Sequence, residues 1–435
     1  MIPQETGDFG TAAGETADGE AGKVTSEQWK WSVLAGMASY MDAGSIVALG
    51  AGLVMFQSYL HLSSNAVGLL AALGPNAVGC AIGAFIGGRL GDTLGRKRIY
   101  KYDLLVYAAG ILCIALAVNP LMLFLGTFVV GLAVGADVPT SLALVGEFAP
   151  ASARGKLLGF TQIAWSLGPV IVLLLALALA PFGLLGIRLV FLQLFVVALV
   201  TWALRRGLAE SARWKRAFAS GMQARPTARA LFRGPNRNAL IWTGTIYLFW
   251  GLAAATNGIF TPYMIRTLHA GSQSAGVGLA CAGFVVSIGA ALLFMSYVDR
   301  SHLTRKWMWG AGGAMQVIAY VSYLVLPFTI PVIILNIVLF AVGGTFAGEP
   351  LYKIFSQELF PTMLRGTAQG FTFGLSRTFV GIWSLFVPAL ASTGIRPVAA
   401  LLAVFLVISG AVGFFFMPDT AGKSLEEIEA ERAFA

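Results

Sequence analysis

Four ionisable side chains lie far inside long apolar stretches of the sequence: Asp42, Asp137, Glu349 and Arg377. Each is about nine to twelve residues from the nearest charged boundary, which is about 14–18 Å at a helical rise of about 1.5 Å per residue. In a hydrocarbon layer of about 30 Å, that depth is close to the midplane. Charged groups are costly there, so they mark candidate proton or substrate sites. A carboxylate suits proton binding, and a guanidinium suits a bidentate anion.

The composition requires that these stretches lie in a membrane. Of 435 residues, 57% are hydrophobic and 11% are charged, with a mean hydropathy of +0.79, whereas soluble proteins carry about 25% charged residues. Because lipid offers no partner to unpaired backbone groups, the spans must be helices. The pattern predicts twelve transmembrane helices, at 32–55, 65–90, 102–118, 121–147, 155–180, 184–205, 238–264, 273–297, 306–327, 330–357, 364–391 and 395–417.

The net charge of +9 is distributed in a way that argues against nucleic-acid binding. The basic residues concentrate in alternate loops, at 89–101, 154–156, 205–237, 300–306 and 365. This is the positive-inside pattern, and it predicts a multi-pass protein of the cell membrane with both termini in the cytoplasm. The three cysteines lie in apolar spans and indicate no disulfide framework.

The chain also repeats itself. Glu147-Phe148-Ala149-Pro150 followed by Arg154-Gly155 recurs 211 residues later as Glu358-Leu359-Phe360-Pro361 followed by Arg365-Gly366. Two duplicated halves in lipid are typical of secondary transporters, whose substrate site lies between the halves. The predicted segments are a disordered cytoplasmic tail at 1–27, six-helix bundles at 28–205 and 238–417, a cytoplasmic linker at 206–237 and a second tail at 418–435.

Glycines recur every fourth residue on the second predicted helix, at Gly79, Gly83, Gly87 and Gly91. This spacing leaves one face of the helix without side chains, so it predicts close approach of a neighbouring helix.

The segment that follows, Gly87-Gly88-Arg89-Leu90-Gly91-Asp92-Thr93-Leu94-Gly95-Arg96-Lys97-Arg98, resembles the signature loop of the major facilitator superfamily. Within that superfamily the chain resembles the sugar porters and related metabolite:proton symporters. The two Glu-x-x-Pro-x-x-x-Arg-Gly runs, residues 210–214 and residues 422–428 carry this second resemblance. It implies an all-α membrane protein with twelve transmembrane helices in two pseudo-symmetric six-helix bundles.

The resemblance also implies a network of charges that holds the two halves together at the cytoplasmic side. Carried over by position, this cytoplasmic gate would comprise Asp92, Arg96, Glu147, Arg154, Glu210, Arg213, Asp299, Arg305, Glu358 and Arg365. Charge-assisted pairs at the end of a bundle would bias a two-state equilibrium.

Asp42 aligns with the aspartate that resembling sugar symporters use as the proton site, but the arginine that pairs with it on their fourth helix is replaced by Thr127. The same helix carries Gly135-Ala136-Asp137-Val138-Pro139, which resembles a motif of phosphate:proton symporters. Since Asp137 has no evident cation nearby, both Asp42 and Asp137 are predicted to be proton-coupling residues. A structural, hydrogen-bonded acid is the alternative for each.

The predicted substrate-binding residues are Gln162, Trp250, Asn257, Glu349 and Arg377. Gln162 matches a sugar-contacting glutamine of the resembling family. Arg377 stands where sugar porters carry an uncharged side chain, so it favours an organic anion or is neutralised by an intramembrane acid. Glu349 binds substrate or pairs with Lys353 one turn further on.

The sequence therefore predicts a proton-coupled transporter that takes up a small polar metabolite, such as a sugar, polyol, sugar acid or other organic anion. A proton-driven exporter and a transporter-like nutrient sensor are the alternatives. No nucleophile–base pair or metal cluster is evident in the sequence, so we expect no enzyme, no cofactor and no metal. The expected partners are a small-molecule substrate, protons and the lipid bilayer, with no nucleic acid, and the chain is expected to act as a monomer.

Overall fold

The computed structural model describes residues 24–75, 77–208, 210–219, 228–267 and 273–433, and these form helices joined by short connections. Most of the predicted N-terminal tail, residues 1–23, lies outside the described residues, as do positions 209 and 220–227 of the predicted linker. The first helix begins after Thr25, whose hydroxyl accepts from the Gln28 amide while the Gln28 side chain accepts from the Thr25 amide. This reciprocal pair is a capping box, which satisfies free amides at the start of a helix.

The described residues of the first half form seven α-helices. They are α1 (Ser26–Leu60), α2 (Ser64–Leu73), α3 (Val78–Leu94), α4 (Arg96–Ala115), α5 (Pro120–Phe148), α6 (Arg154–Ala178) and α7 (Leu184–Arg205). The second predicted span is divided between α2 and α3.

A short helix, α8 (Ala212–Ala219), precedes the second half. The helices that follow are α9 (Gly234–Thr267), α10 (Gln273–Tyr297), α11 (His302–Val325), α12 (Ile330–Phe346), α13 (Glu349–Glu358), α14 (Arg365–Ala391), α15 (Ile395–Phe415) and α16 (Leu425–Ala433). The tenth predicted span is interrupted at Ala347 and Gly348, between α12 and α13.

Ten helical segments of the described chain are long and apolar enough to cross a membrane. The two other predicted spans correspond to α4 and α11, which are 20 and 24 residues long but begin with basic residues. The basic residues lie in the first turns of these two helices. With the ten segments above, each of the twelve predicted spans corresponds to a helix or to a pair of consecutive helices.

The glycine face of α3 packs on α5, as predicted. A Cβ atom at Gly83 would collide with the Leu132 carbonyl, and one at Gly87 would collide with Ala136. The opposite side of α3 contacts α14 of the second half, where Gly88 meets Gly366 and Gly370. Two further helices of the first half, α5 and α6, contact α10, α13 and α14. These helices position the residues at the centre of the molecule.

Candidate functional site

A cavity with two adjoining lobes lies between the halves, and the lobes share Trp165, Trp250, Phe284 and Glu349 in their walls. The space within the two lobes, including the part that is open to solvent, is about 660 Å³ and about 750 Å³. All five predicted substrate-binding residues line this cavity: Arg377 in the first lobe, Gln162 and Asn257 in the second, and Trp250 and Glu349 in both.

Asp42 lies directly behind the wall of the first lobe. Its Oδ2 atom accepts from the Arg377 guanidinium at 3.3 Å and from the Trp165 indole nitrogen at 3.2 Å. The carboxylate is on α1 of the first half and the guanidinium is on α14 of the second half, so this ion pair joins the two halves. Thr127 stands where the resembling symporters carry the arginine that pairs with this aspartate. In this structure Arg377 of the opposite half provides the cation for Asp42.

A second ion pair lies in the floor of the cavity. The Nζ atom of Lys353 is 3.2 Å from Glu349 and 3.4 Å from the Thr161 hydroxyl of the first half. The predicted pairing of Glu349 with Lys353 is therefore confirmed, while Glu349 still faces both lobes. Nothing in the sequence indicated that Thr161 contacts Lys353, because a single threonine in an apolar helix most often forms a hydrogen bond with its own backbone.

Several buried polar atoms near the cavity have no hydrogen-bond partner among the described residues. They include Gln162 Oε1 and Trp250 Nε1 in the cavity wall, and Asp42 Oδ1 behind it. Buried polar groups normally find a partner, so these atoms are available to a polar group that enters the cavity. One acceptor on α6 and one donor on α9 suit hydroxyl groups, which both donate and accept.

Aromatic rings form one wall of the cavity. Tyr247 stacks on Tyr352 with ring centroids 3.9 Å apart and on Trp250 at 5.8 Å. Ser376 lines the first lobe and Phe284 lines both lobes, although nothing in the sequence singled them out.

Asp137 does not line the cavity, and the expectation that it lacks a cation is wrong. Arg205 binds it at 3.0 Å, and the Ser141 hydroxyl also donates to it. In the sequence, Arg205 is the first residue of the basic stretch 205–237, which is typical of a loop. In the structure it is the last residue of α7. Its guanidinium instead lies within the first half, where Nη1 is also 3.8 Å from Asp103.

At one end of the bundle lie the connections α3–α4, α5–α6, α10–α11 and α13–α14, together with α8 and α16. We call this the basic end. All ten residues of the predicted cytoplasmic gate meet there, in what we call the basic-end network: Asp92, Arg96, Glu147, Arg154, Glu210, Arg213, Asp299, Arg305, Glu358 and Arg365.

Two glutamates are at the centre of the basic-end network, and each binds one arginine from each half. Glu147 accepts from Arg96 at 3.0 Å and from Arg365 at 3.3 Å. Its repeat counterpart, Glu358, accepts from Arg305 at 2.8 Å and from Arg154 at 3.1 Å. The repeated sequence thus produces reciprocal ion pairs between the halves.

Two aspartates of the network bind the helix N-terminus of the opposite half. Asp92 accepts from the backbone amides of Gly366 and Thr367, at 3.1 and 2.6 Å, where α14 begins. Asp299 accepts from those of Gly155 and Lys156, at 2.9 and 2.7 Å, where α6 begins. Free amides and the helix dipole favour an anion at these positions. Burial raises the pKa of Asp299, against the opposing effect of Arg305.

Glu210 and Arg213 extend the basic-end network to the segments outside the bundle. Glu210 accepts from the amides of Arg96 and Lys97 at the start of α4. Arg213 donates to the Glu147 carbonyl and pairs with the exposed Glu426 on α16 at 3.0 Å. With these contacts in place, the two halves are joined at the basic end.

The Major Facilitator Superfamily profile matches residues 32–388 of the sequence. The chain belongs to the major facilitator superfamily. It is 38% identical over 412 residues to the minor myo-inositol transporter IolF of Bacillus subtilis (strain 168). This match covers 92% of this chain and 93% of the relative. It is 24% identical over 437 residues to the glucose transporter GlcP of Staphylococcus epidermidis, covering 92% and 95%.

Among solved structures, the proton:xylose symporter XylE bound to 6-bromo-6-deoxy-D-glucose matches with a TM-score of 0.79 at 18% identity, over 93% of this chain and 98% of that one. The human organic anion transporter MFSD10 matches with a TM-score of 0.72 at 14% identity, over 89% and 100%. These matches confirm the predicted twelve-helix major facilitator fold. The protein is a multi-pass membrane transporter of the sugar and metabolite class, and it is not an enzyme.

Proposed function

We propose that this transporter takes up a neutral polyhydroxylated metabolite, a cyclic polyol or a sugar, together with protons. The observation that carries the proposal is that each charged group found at the cavity has an opposite charge bound to it, Asp42 with Arg377 and Glu349 with Lys353. An anionic cargo would leave one of these carboxylates without its cation, which is costly at this depth.

The remaining features of the cavity support a hydroxylated cargo. Gln162 Oε1 and Trp250 Nε1 offer an acceptor and a donor, and the aromatic wall suits the apolar face of a ring. The name of the 38% identical relative, a minor myo-inositol transporter, agrees with this class. Arg377, which favoured an organic anion in the sequence, is in this proposal the partner of Asp42.

Asp42 is the proposed proton-coupling residue at the cavity. Binding a proton would neutralise Asp42 and weaken its contact with Arg377, which joins the two halves beside the cavity. The basic-end network would hold the opposite side closed until cargo and proton are bound. In alternating access, the contact between Asp42 and Arg377 and the contacts of the basic-end network then break and form in turn.

The distribution of basic residues supports a cytoplasmic position for the basic end, and therefore for both termini. In this orientation the network is a cytoplasmic gate. The coupling ion is a proton, no cofactor takes part, and one chain forms the complete transport path.

The test uses the full chain in proteoliposomes, with uptake of labelled myo-inositol, glucose, xylose and glucuronate measured under an imposed pH gradient. We expect uptake of at least one neutral compound to be driven by the gradient, and no uptake of glucuronate. Asp42→Asn should abolish the response to the gradient while retaining exchange of labelled for unlabelled cargo.

Three results would overturn the proposal. Uptake of glucuronate alone would reject the neutral cargo. A full response of Asp42→Asn to the gradient would reject Asp42 as the coupling residue. Acidification, in place of alkalinisation, outside right-side-out vesicles during cargo flow would identify a proton-driven exporter.

A further inference from the structure

A buried cluster of polar side chains lies inside the first half, away from the cargo cavity. Arg205 is at its centre, with Nη1 3.0 Å from Asp137 and 3.8 Å from Asp103. The guanidinium also lies over the Tyr100 ring, 3.6 Å from its centroid. The four side chains come from α4, α5 and α7, and none of them lines the cavity.

The charges of this cluster do not balance. Two carboxyl groups face one guanidinium, and the exposed fractions of Asp103, Asp137 and Arg205 are 6%, 3% and 3%. The two other nitrogens of Arg205, Nε and Nη2, donate to the Leu34 carbonyl of α1. If both carboxyl groups were ionised, one negative charge would be buried without a counterion, which is strongly unfavourable in a bilayer.

The helices packed around the cluster supply no second cation to its acids. α4 contributes Tyr100 and Asp103, α5 contributes Asp137 and the Ser141 hydroxyl, and α7 contributes Arg205. α1 contributes the Leu34 carbonyl. Among the residues that the structure describes, these are the charged and titratable groups that face the two acids.

One carboxylate oxygen of the cluster lacks a donor. The Asp103 Oδ2 atom is buried and accepts no hydrogen bond from the described residues, whereas the Tyr100 hydroxyl lies beside the Ser141 side chain. The exposed fraction of Tyr100 is 1%. A proton on one carboxyl group would remove the excess charge, and it would also turn one carboxylate oxygen from an acceptor into a donor.

We propose that Asp103 and Asp137 share one bound proton, which makes this cluster a second protonation site of the transporter. The site requires no group of the cargo cavity. Its helices α4 and α5 also carry Arg96 and Glu147 of the basic-end network. Loss of the proton would therefore place a negative charge inside the first half, on the same helices that this network joins to the second half. The site therefore gives the first half a response to pH that does not pass through Asp42.

Infrared difference spectroscopy of the full chain in liposomes tests this inference, because a protonated carboxyl group has a carbonyl stretch that a carboxylate lacks. We expect this band at neutral pH in the wild type and in Asp42→Asn. It should be lost in Asp103→Asn and in Asp137→Asn, each of which leaves one carboxylate for one guanidinium. Absence of the band from the wild type, or its survival in both of these variants, would overturn the proposal.

Tyr100→Phe keeps the ring over Arg205 and removes only the hydroxyl group, so it provides a variant that retains the packing. We expect the band to remain and to shift in frequency, since a hydroxyl beside the shared proton is lost. Tyr107→Phe is the matched control, because that hydroxyl on the same helix donates to Met41 outside the cluster. An identical band in wild type and Tyr100→Phe, or loss of the band only in Asp42→Asn, would place the proton elsewhere. Either result is independent of whether the cavity carries a polyol.

Discussion

At the scale of single residues, the cavity wall contains polar atoms that have no hydrogen-bond partner among the described residues. Gln162 illustrates this, because its Oε1 atom is buried in the second lobe without a hydrogen bond among the described residues. Such an atom is satisfied when a ligand hydroxyl group donates to it. Its removal should therefore affect the bound state more than the empty state.

We expect Gln162→Leu to weaken cargo binding. Loss of one hydrogen bond costs about 0.5–1.5 kcal/mol, which corresponds to a two- to tenfold increase in Kd. Isothermal titration calorimetry with the transported polyol or sugar measures this change. Gln193→Leu is the matched control, because Gln193 is also an intramembrane glutamine but donates to the Tyr40 hydroxyl outside the cavity. An equal loss of affinity in both variants would show that the effect is not local.

The sequence was sufficient to identify Asp42, Glu349 and Arg377 as intramembrane charges, because depth in an apolar stretch can be counted. It gave Lys353 as one alternative partner of Glu349, which the structure shows, but it did not determine the partners of Asp42 and Arg377. Arg377 reaches Asp42 from another helix 335 positions away in the chain, and Arg205 reaches back into the bundle from the end of α7. Both pairings depend on helix packing and side-chain direction, neither of which is a property of local sequence.

At the scale of helices, glycines set two kinds of contact on α3. Gly83 allows α3 to touch α5 within the first half, whereas Gly370 on α14 allows the second half to touch Ala84 of α3. The first contact persists whenever the half is folded. The second joins the two halves, so we expect it to be lost when the basic end opens.

We therefore expect Gly83→Ala and Gly370→Ala to have different effects, although alanine favours a helix over glycine by about 1 kcal/mol. Gly83→Ala should lower the unfolding temperature, because the added methyl group meets the Leu132 carbonyl inside one half. Gly370→Ala should leave the unfolding temperature nearly unchanged and should shift the molecule towards a basic-end-open state. Scanning calorimetry and spin-label distances across the basic end separate these outcomes. Equal destabilisation by both variants would contradict this distinction.

The period of four in the α3 glycines predicted a close contact with a neighbouring helix, because it places four bare positions on one helical face. The structure shows that this neighbour is α5. The breaks between α2 and α3 and between α12 and α13 were not predicted. Glycine and proline stand at both breaks, as Gly74-Pro75 and as Gly348-Glu349-Pro350, and these residues favour helix ends. The mean hydropathy stays high across each break, so a division by hydropathy alone gives one span in each case. In the second break, Gly348 packs against the Trp250 ring, where a Cβ atom would collide with it. A contact of this kind becomes visible only when the helices are assembled.

At the scale of the whole molecule, the duplicated sequence produces duplicated contacts. The Glu147 and Glu358 sites have the same composition, and the Asp92 and Asp299 sites each cap a helix of the opposite half. The cavity residues have no such counterparts. This difference was readable from the sequence, since the repeat preserves the charges at the basic end and loses those of the midplane.

The two caps are equivalent in position but unequal in strength. Asp92 accepts a third hydrogen bond, from the Thr367 hydroxyl at 2.6 Å, whereas Lys156 stands at the equivalent position beside Asp299 and gives only its backbone amide. The side chain of Asp299 is also more exposed, at 12% against 1% for Asp92. Because hydrogen bonds to charged groups contribute about 1.5–3 kcal/mol, the additional bond makes Asp92 the stronger contact between the halves.

We expect Asp92→Asn to open the basic end more than Asp299→Asn, by about tenfold or more in the ratio of open to closed molecules, and the double variant to open it further. Spin-label distances across the basic end measure the ratio. Glu426→Gln is the control, because its pair with Arg213 is exposed and surface pairs contribute about 0–1 kcal/mol. Equal opening by the two single variants would show that the hydroxyl of Thr367 contributes nothing. A larger effect of Asp299→Asn would show that the order of the two caps is reversed.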